Sequence, residues 1–265
     1  MEEQDYLKKN RASWNKRTNV HISSDFYDVA SFIAGRNSLH AIELKLLGNV
    51  GGKSILHLQC HFGQDTLSLA RMGALVTGVD LSDNAIQHAE VLAIKTGLKG
   101  DFICCDVYSL PQFLHRQFDI VFTSYGTIGW LPDIDKWAKI VSQFLKPEGK
   151  FVFADFHPVL WMFDTKMEHI VHNYFNAGPI LENENGTYTD RHAAISGETV
   201  GWNHPTSEVL TGLLSNGLRL DVFEEFDYSP YNCFENMVEF EPGKFRFKHL
   251  ENKLPLMFSL MATKI

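Results

Sequence analysis

Between Lys53 and His157 the chain alternates short apolar runs with helix-like segments, and this rhythm restricts the fold more than any other feature. Near-continuous apolar runs are what strands look like when helices cover both faces of a parallel sheet. The first run, Ser54 to Gln59, turns at Gly63 into a helix from about Asp65 to Met72, stopped by Gly73. The second, Leu75 to Val79, ends at Asp80. Ser82 then stands as the N-cap of a helix whose stripe of Ala85, Ile86, Ala89, Leu92 and Ala93 closes at Gly97. The third, Asp101 to Cys105, ends at Asp106.

The fourth, Phe118 to Thr123, opens into Ser124-Tyr125-Gly126-Thr127-Ile128-Gly129-Trp130, too glycine-rich and aromatic for a plain connector. Pro132-Asp133 start a helix with Trp137, Ile140, Val141 and Phe144 on one face, and Pro147-Glu148-Gly149 turns the chain into a fifth strand, Lys150 to Phe156. The first 50 residues read as helical, with Leu39, Ile42, Glu43, Leu46 and Leu47 as the clearest stripe. Residues 158 to 204 break the rhythm, and Asn185-Gly186 between alternating runs predicts an inserted antiparallel hairpin or two. A helix over Ser207 to Asn216 and strands over Leu218 to Phe226 and Leu256 to Thr263 complete the pattern, the two strands closing the sheet as an antiparallel pair at one edge. The expectation is one α/β domain: a doubly wound, Rossmann-like, mostly parallel sheet with helices on both faces, an antiparallel edge strand and an inserted hairpin region. Within it, residues 1–50 form a helical cover, 51–157 the core, 158–204 an inserted cover over the substrate, and 205–265 the final helix and edge strands.

A net charge of −8 leaves no basic excess to follow a phosphate backbone, so nucleic acid is not expected as a partner. No run approaches the roughly 18 apolar residues of a membrane helix, and acids stand where a signal peptide needs basic residues, which predicts a cytoplasmic protein with no membrane partner. Cys60, Cys104, Cys105 and Cys233 form no C-x-x-C pair, so reduced thiols are expected rather than disulfides or zinc. His57, Cys60 and His61 do not make a convergent ligand set on one turn, and no metal is expected.

In an open parallel sheet, ligands bind outside the carboxyl ends of the strands where strand order reverses. Asp80, 17 residues beyond Gly63, is placed to accept hydrogen bonds from both hydroxyls of a ribose. Asp106, followed by Val107, is placed to take an exocyclic amine and lie beside a purine. Either acid alone is as well explained by strand-end turns; as an ordered set with the Gly63 turn they describe an adenosine site. A dinucleotide needs G-x-G-x-x-G to close on its pyrophosphate, and only Gly63 is present. A phosphate-free cofactor such as S-adenosylmethionine needs only close passage of the backbone, and a nicotinamide-dependent oxidoreductase is disfavoured.

These residues resemble a class I S-adenosylmethionine-dependent methyltransferase over roughly residues 10 to 230. Leu56-His57-Leu58-Gln59-Cys60-His61-Phe62-Gly63-Gln64-Asp65-Thr66 is similar to the first motif of a bacterial subgroup with L-H-L-Q-C-H-F-G-x-D-T. Trp14-Asn15-x-Arg17, Ser24-Asp25-Phe26-Tyr27 and Trp202-Asn203-His204 resemble other segments of that subgroup. The sequence departs from the broader family, which has an acid at the position of His57 and glycine at those of Gln59 and His61. The resemblance implies cofactor contacts from the backbone of Gln59, Cys60, His61 and Gly63, with Gln59 or His61 hydrogen-bonding the cofactor. It also implies Asp80 and Leu81 at the ribose, Asp106 and Val107 at the adenine, Ser124 or Tyr125 near the methionine and Arg17 near its carboxylate. Asp65 and Ser82, which open the two following helices, complete the cofactor set.

The reaction expected is in-line methyl transfer to a small-molecule acceptor by a monomer or homodimer. His157 and Tyr125 are the candidate catalytic residues, with Asp155 a further candidate base, and His21, Tyr27, Trp130 and His204 are candidates for the substrate pocket. Each has a plainer structural reading, as a strand cap, an ion-pair partner or a pocket wall. The alternative function is a protein that binds S-adenosylmethionine as a sensor or scaffold without turnover. The aromatic-rich tail from Phe226 to Phe247 is expected to pack as core or edge, with a lid or dimer surface as its alternative.

Overall fold

The computed structural model describes residues 3–265. A long helix α1 (Glu3–Ile22), a single turn α2 (Val29–Ile33) and α3 (Ala41–Leu47) precede the sheet. Then follow β1 (Ser54–Leu58), α4 (Gln64–Arg71), β2 (Leu75–Asp80), α5 (Asp83–Thr96), β3 (Asp101–Cys104), β4 (Phe118–Ser124), α6 (Ile134–Phe144) and β5 (Leu145–Phe156). The inserted segment carries β6 (Ile180–Asn185) and β7 (Ser196–Gly201). After it come α7 (Thr206–Ser215), β8 (Leu218–Phe226), β9 (Met237–Glu241), β10 (Lys244–Phe247) and β11 (Met257–Lys264).

Seven strands form one sheet in the order β3-β2-β1-β4-β5-β11-β8. Strands β1 to β5 run parallel, while β11 pairs antiparallel with both β5 and β8, as expected for the closing edge. The order reverses between β1 and β4, which places the crevice outside their carboxyl ends. One face is packed by Trp137, Ile140, Val141 and Phe144 of α6 with Val209 and Leu213 of α7; the other by Leu39, Leu47, Val50 and Leu69.

Local signals act where the sequence places them. Ser82 accepts the Ala85 N–H at 3.0 Å as N-cap of α5, and Gly97 ends that helix in the left-handed conformation. The expected turn at Pro147-Glu148-Gly149 lies instead inside β5, a longer strand than the apolar pattern shows, with Glu148 at φ 60° and an irregular register to β4. The inserted hairpin exists as β6 and β7. The aromatic tail holds a further hairpin, β9 with β10, that alternation alone did not reveal, and its Phe247, with Cys233 and Met237, packs on Phe156, Leu160 and Met257.

Candidate functional site

The turn after β1 is strained at two side-chain-bearing positions, Gln59 at φ 55° and His61 at φ 50°, with Gly63 at φ 80°. A left-handed residue with a Cβ costs about 1–2 kcal/mol, and such residues gather at functional sites. The backbone therefore keeps a shape suited to glycine while carrying two functional side chains. Gln59 Nε2 donates to the Thr127 carbonyl at 2.8 Å, tying this turn to the loop after β4, and its Oε1 is buried with no protein partner. Gly63 is glycine for packing: a Cβ there would stand 2.9 Å from Ala89 Cβ and from the Phe102 ring, and its N–H is already given to the Cys60 carbonyl. Burial pushes the Cys60 thiol well above its usual range.

Asp80 at the end of β2 accepts the His61 N–H on one oxygen and the Ser82 N–H on the other, both at 2.8 Å. A carboxylate offers about four lone-pair positions, so two remain for further donors. Burial raises this carboxyl to about 6, against backbone N–H groups that hold it down. The Leu81 carbonyl accepts Arg11 Nε at 3.1 Å, and the Ser82 hydroxyl donates to Asn15 at 2.6 Å, so α1 is fastened at the same point. Asp106 is half-buried and caps the short 3-10 turn 107–112 through the Ser109 N–H, with Val107 buried beside it.

Over these strand ends lies an aromatic cover built from three parts of the chain. Trp14 of α1 meets the His61 ring at 5.4 Å and Trp130 at 5.4 Å, both edge to face. His21 Nδ1 and His61 Nε2 share a hydrogen bond at 2.8 Å, and His21 Nε2 bonds the Thr187 hydroxyl at 2.6 Å. Burial lowers His21 to about 2 and His61 to about 3, so both rings are neutral near pH 7. The Tyr27 hydroxyl bonds that of Tyr188 at 2.5 Å. Arg17, 5% exposed, lies 5.3 Å from the Trp14 ring centre and 5.8 Å from that of Trp130, and it pairs with Glu184 of β6. The carboxylate on Arg17 is therefore a protein one, from the inserted hairpin.

Tyr125, at φ 54° directly after β4, donates its hydroxyl to Glu43 of α3. The ring stands edge to face with His40 at 5.8 Å and Tyr231 at 5.4 Å. Ser124 is buried beneath it. Glu43 has no exposed surface; its second oxygen accepts the His40 N–H at 2.5 Å, and burial raises it to about 8, with nearby Asp65 adding to the rise. Asp65 itself takes the Ser38 hydroxyl at 2.6 Å.

Three expected site residues are held by protein partners. His157 bonds Glu225 at 2.9 Å and receives the Val159 N–H at 3.2 Å, on the β8 side of the sheet, because β11 leaves its ring facing that edge. Asp155 is engaged by the N–H groups of Gly126, Thr127, Ile128 and Phe156 and by the Thr127 hydroxyl, so it shapes the loop after β4. His204, 2% exposed, joins the Leu131 carbonyl at 2.7 Å to Glu208 at 3.1 Å and fixes the far end of the same loop. His57 lies inside the core, bonded to Thr66 at 2.8 Å and stacked on Phe122, and burial lowers it to about 3. Among the described residues no three His, Cys, Asp or Glu are grouped as metal ligands, and no helix is long and apolar enough to cross a membrane.

Glu43, Glu184, Thr187 and Tyr188 were not anticipated, whereas Tyr231 belongs to the aromatic tail expected as core or edge with a lid as its alternative. Of the first four, only Glu43 left a signal, an acid inside an apolar helical stripe; the others reach the site through pairing of distant segments.

Residues 55–149 match the model of the family described as Methyltransferase domain. A ubiquinone biosynthesis O-methyltransferase of Idiomarina loihiensis is 32% identical over 39% of this chain and 42% of its own length. One of Coxiella burnetii is 29% identical over 50% of this chain and 57% of its own. The chain thus spans about half the length of the curated relatives it matches. Among solved structures, S-adenosylmethionine-dependent methyltransferases of Methanosarcina mazei and Mesorhizobium loti align with TM-scores of 0.60 and 0.59. Their identities are 21% and 22%, covering 86% and 88% of this chain and 98% and 100% of theirs. Residues 55–149 thus match a methyltransferase domain, and the sheet around them has the fold of these solved methyltransferases.

Proposed function

We propose that the protein transfers a methyl group from S-adenosylmethionine to a small-molecule acceptor. The observation that carries this is Asp80: a half-buried carboxylate at the end of β2, fixed by the His61 and Ser82 N–H groups with acceptor positions to spare. The unpartnered Oε1 of Gln59, beside it on the left-handed turn, is a second acceptor suited to an amino group. This donor-poor, acceptor-rich turn fits the hydroxyls and ammonium of such a cofactor, and a structural neighbour with a TM-score of 0.58 is a complex with S-adenosylhomocysteine. The relatives named as O-methyltransferases favour an oxygen acceptor.

When bound, the cofactor supplies an electrophilic methyl on a sulfonium, so the chain's task is to orient and to exclude water. Asp80 fixes the ribose, Asp106 and Val107 the adenine, and the Gln59–Thr127 bond holds the turn after β1 against the loop after β4. Trp14, Trp130, Tyr27 and Tyr188 roof the crevice and exclude water. Alignment of this kind is worth about 7–11 kcal/mol of a methyl-transfer barrier.

Calorimetric titration with S-adenosylmethionine, S-adenosylhomocysteine and NAD tests the reading. Saturable binding of the first two and none of NAD is expected. A folded, ligand-free protein that takes up neither sulfur compound would end it.

A further inference from the structure

The loop after β4 brings to the switch point one group that the cofactor reading does not use. Glu43 is a carboxyl without exposed surface, lying against the Tyr125 hydroxyl. It has no cation against it among the described residues: one oxygen takes the His40 N–H and the other the Tyr125 hydroxyl. As the third residue of α3 it completes a capping box, but such a glutamate normally lies at the surface, and the hydrogen bonds alone would be served by glutamine. An uncompensated buried acid in contact with a half-buried tyrosine at the reactive end of a sheet is the arrangement that proton transfer requires.

We propose that the Tyr125 hydroxyl, backed by the Glu43 carboxylate, takes the proton from a phenolic acceptor as that oxygen receives the methyl group. This rests on the methyltransferase reading above. The acceptor oxygen's lone pair forms the new O–C bond, the S–C bond breaks with its electron pair returning to sulfur, the acceptor's proton passes to the Tyr125 oxygen, and Tyr125's own proton passes to Glu43. Charge balances, because a sulfonium and a carboxylate become a neutral thioether and a neutral acid. The surroundings suit a planar ring: Tyr231 and His40 stand edge to face with Tyr125, and Phe26 packs on Tyr231 at 5.4 Å. A phenol fits the relay in acidity as well as shape, since burial raises Glu43 to about 8 and a base works best when it titrates near the operating pH. An amine acceptor would shed its proton to water after transfer and would need no such pair. The groups facing Glu43 are Tyr125 and His40, both packed on Tyr231, with Asp65 on α4 raising it and Arg36 acting on Asp65 and His40.

The test compares wild type with Glu43→Gln, Glu43→Asp and Tyr125→Phe, using methyl-labelled S-adenosylmethionine with catechol and 3,4-dihydroxybenzoate as probes. Wild type should methylate a probe at a rate that rises with pH toward a plateau. Glu43→Gln should lose about 10²-fold or more in kcat together with that acid limb, with S-adenosylhomocysteine affinity unchanged and partial recovery in Glu43→Asp. Infrared difference spectra of the wild-type protein should show a protonated carboxyl that disappears near pH 8 and is missing from Glu43→Gln. Any of three results overturns the assignment: a wild-type rate and pH profile in Glu43→Gln, no such carboxyl band, or a cofactor-binding protein that methylates neither phenol. Failure to bind S-adenosylmethionine at all would instead defeat the reading beneath it.

Discussion

Removing the Asp80 carboxyl should weaken S-adenosylmethionine binding about ten- to a hundredfold, since two hydrogen bonds to a charged acceptor are worth about 1.5–3 kcal/mol together. Calorimetry on folded Asp80→Ala measures it, and unchanged affinity would place the cofactor elsewhere. Glu148 offers a separate check on backbone strain. It is exposed at φ 60° inside β5, so Glu148→Gly should stabilise the protein by about 0.5–1 kcal/mol in urea unfolding, the relief of left-handed strain exceeding glycine's extra chain entropy. Gly63→Ala should do the reverse, by more than 1 kcal/mol, through its φ and the contact with Ala89 and Phe102. At this scale the sequence was informative where one residue decides one turn: Asp80 closes β2, Ser82 and Gly97 cap α5, and Gly63 makes the turn before α4. It misled at His157 and His204, because which way a buried imidazole faces depends on neighbours hundreds of atoms away along the chain.

Among the elements, α1 has the least local reason to sit where it does. Its Asn10 side chain makes two hydrogen bonds to the Val200 backbone, at 2.8 and 2.9 Å, as a strand neighbour would, while Asn15 is bonded to Ser82 and Asp83 at the start of α5. Asn10→Ala should therefore cost about 1–3 kcal/mol and loosen β7. Hydrogen exchange checks this: faster exchange confined to α1, β6 and β7 is expected, and a uniform change would deny that they move as a unit. The strands and their order of appearance were legible because apolar runs and turn residues are local. The pairing of α1 with the inserted hairpin, and of Glu43 with Tyr125, was not, because surfaces that meet across more than 80 residues leave no periodic trace.

For the molecule as a whole, buried groups set opposing pH trends. His21, His40, His57 and His61 are all lowered in the fold, so below about 6.5 the unfolded chain binds their protons and the native state does not; stability falls as pH drops. Glu43 and Asp80 are raised, so they contribute stability in acid that is lost as pH climbs to about 8 and about 6. The lowered histidines set the trend below pH 6.5, and Glu43 carries its own decline on toward 8. The urea midpoint should peak near neutrality, drop steeply in acid and slightly toward pH 8, and the alkaline decline should vanish in Glu43→Gln.

The double fastening of α1 also bears on timing. Because the first helix is clasped on one side to the rim of the β2 end and on the other to the hairpin, a large ligand held beneath it should exchange no faster than one clasp opens. On the proposed reading, ligand exit and the peeling of this helix would be a single event, timed by the breathing of its twenty residues.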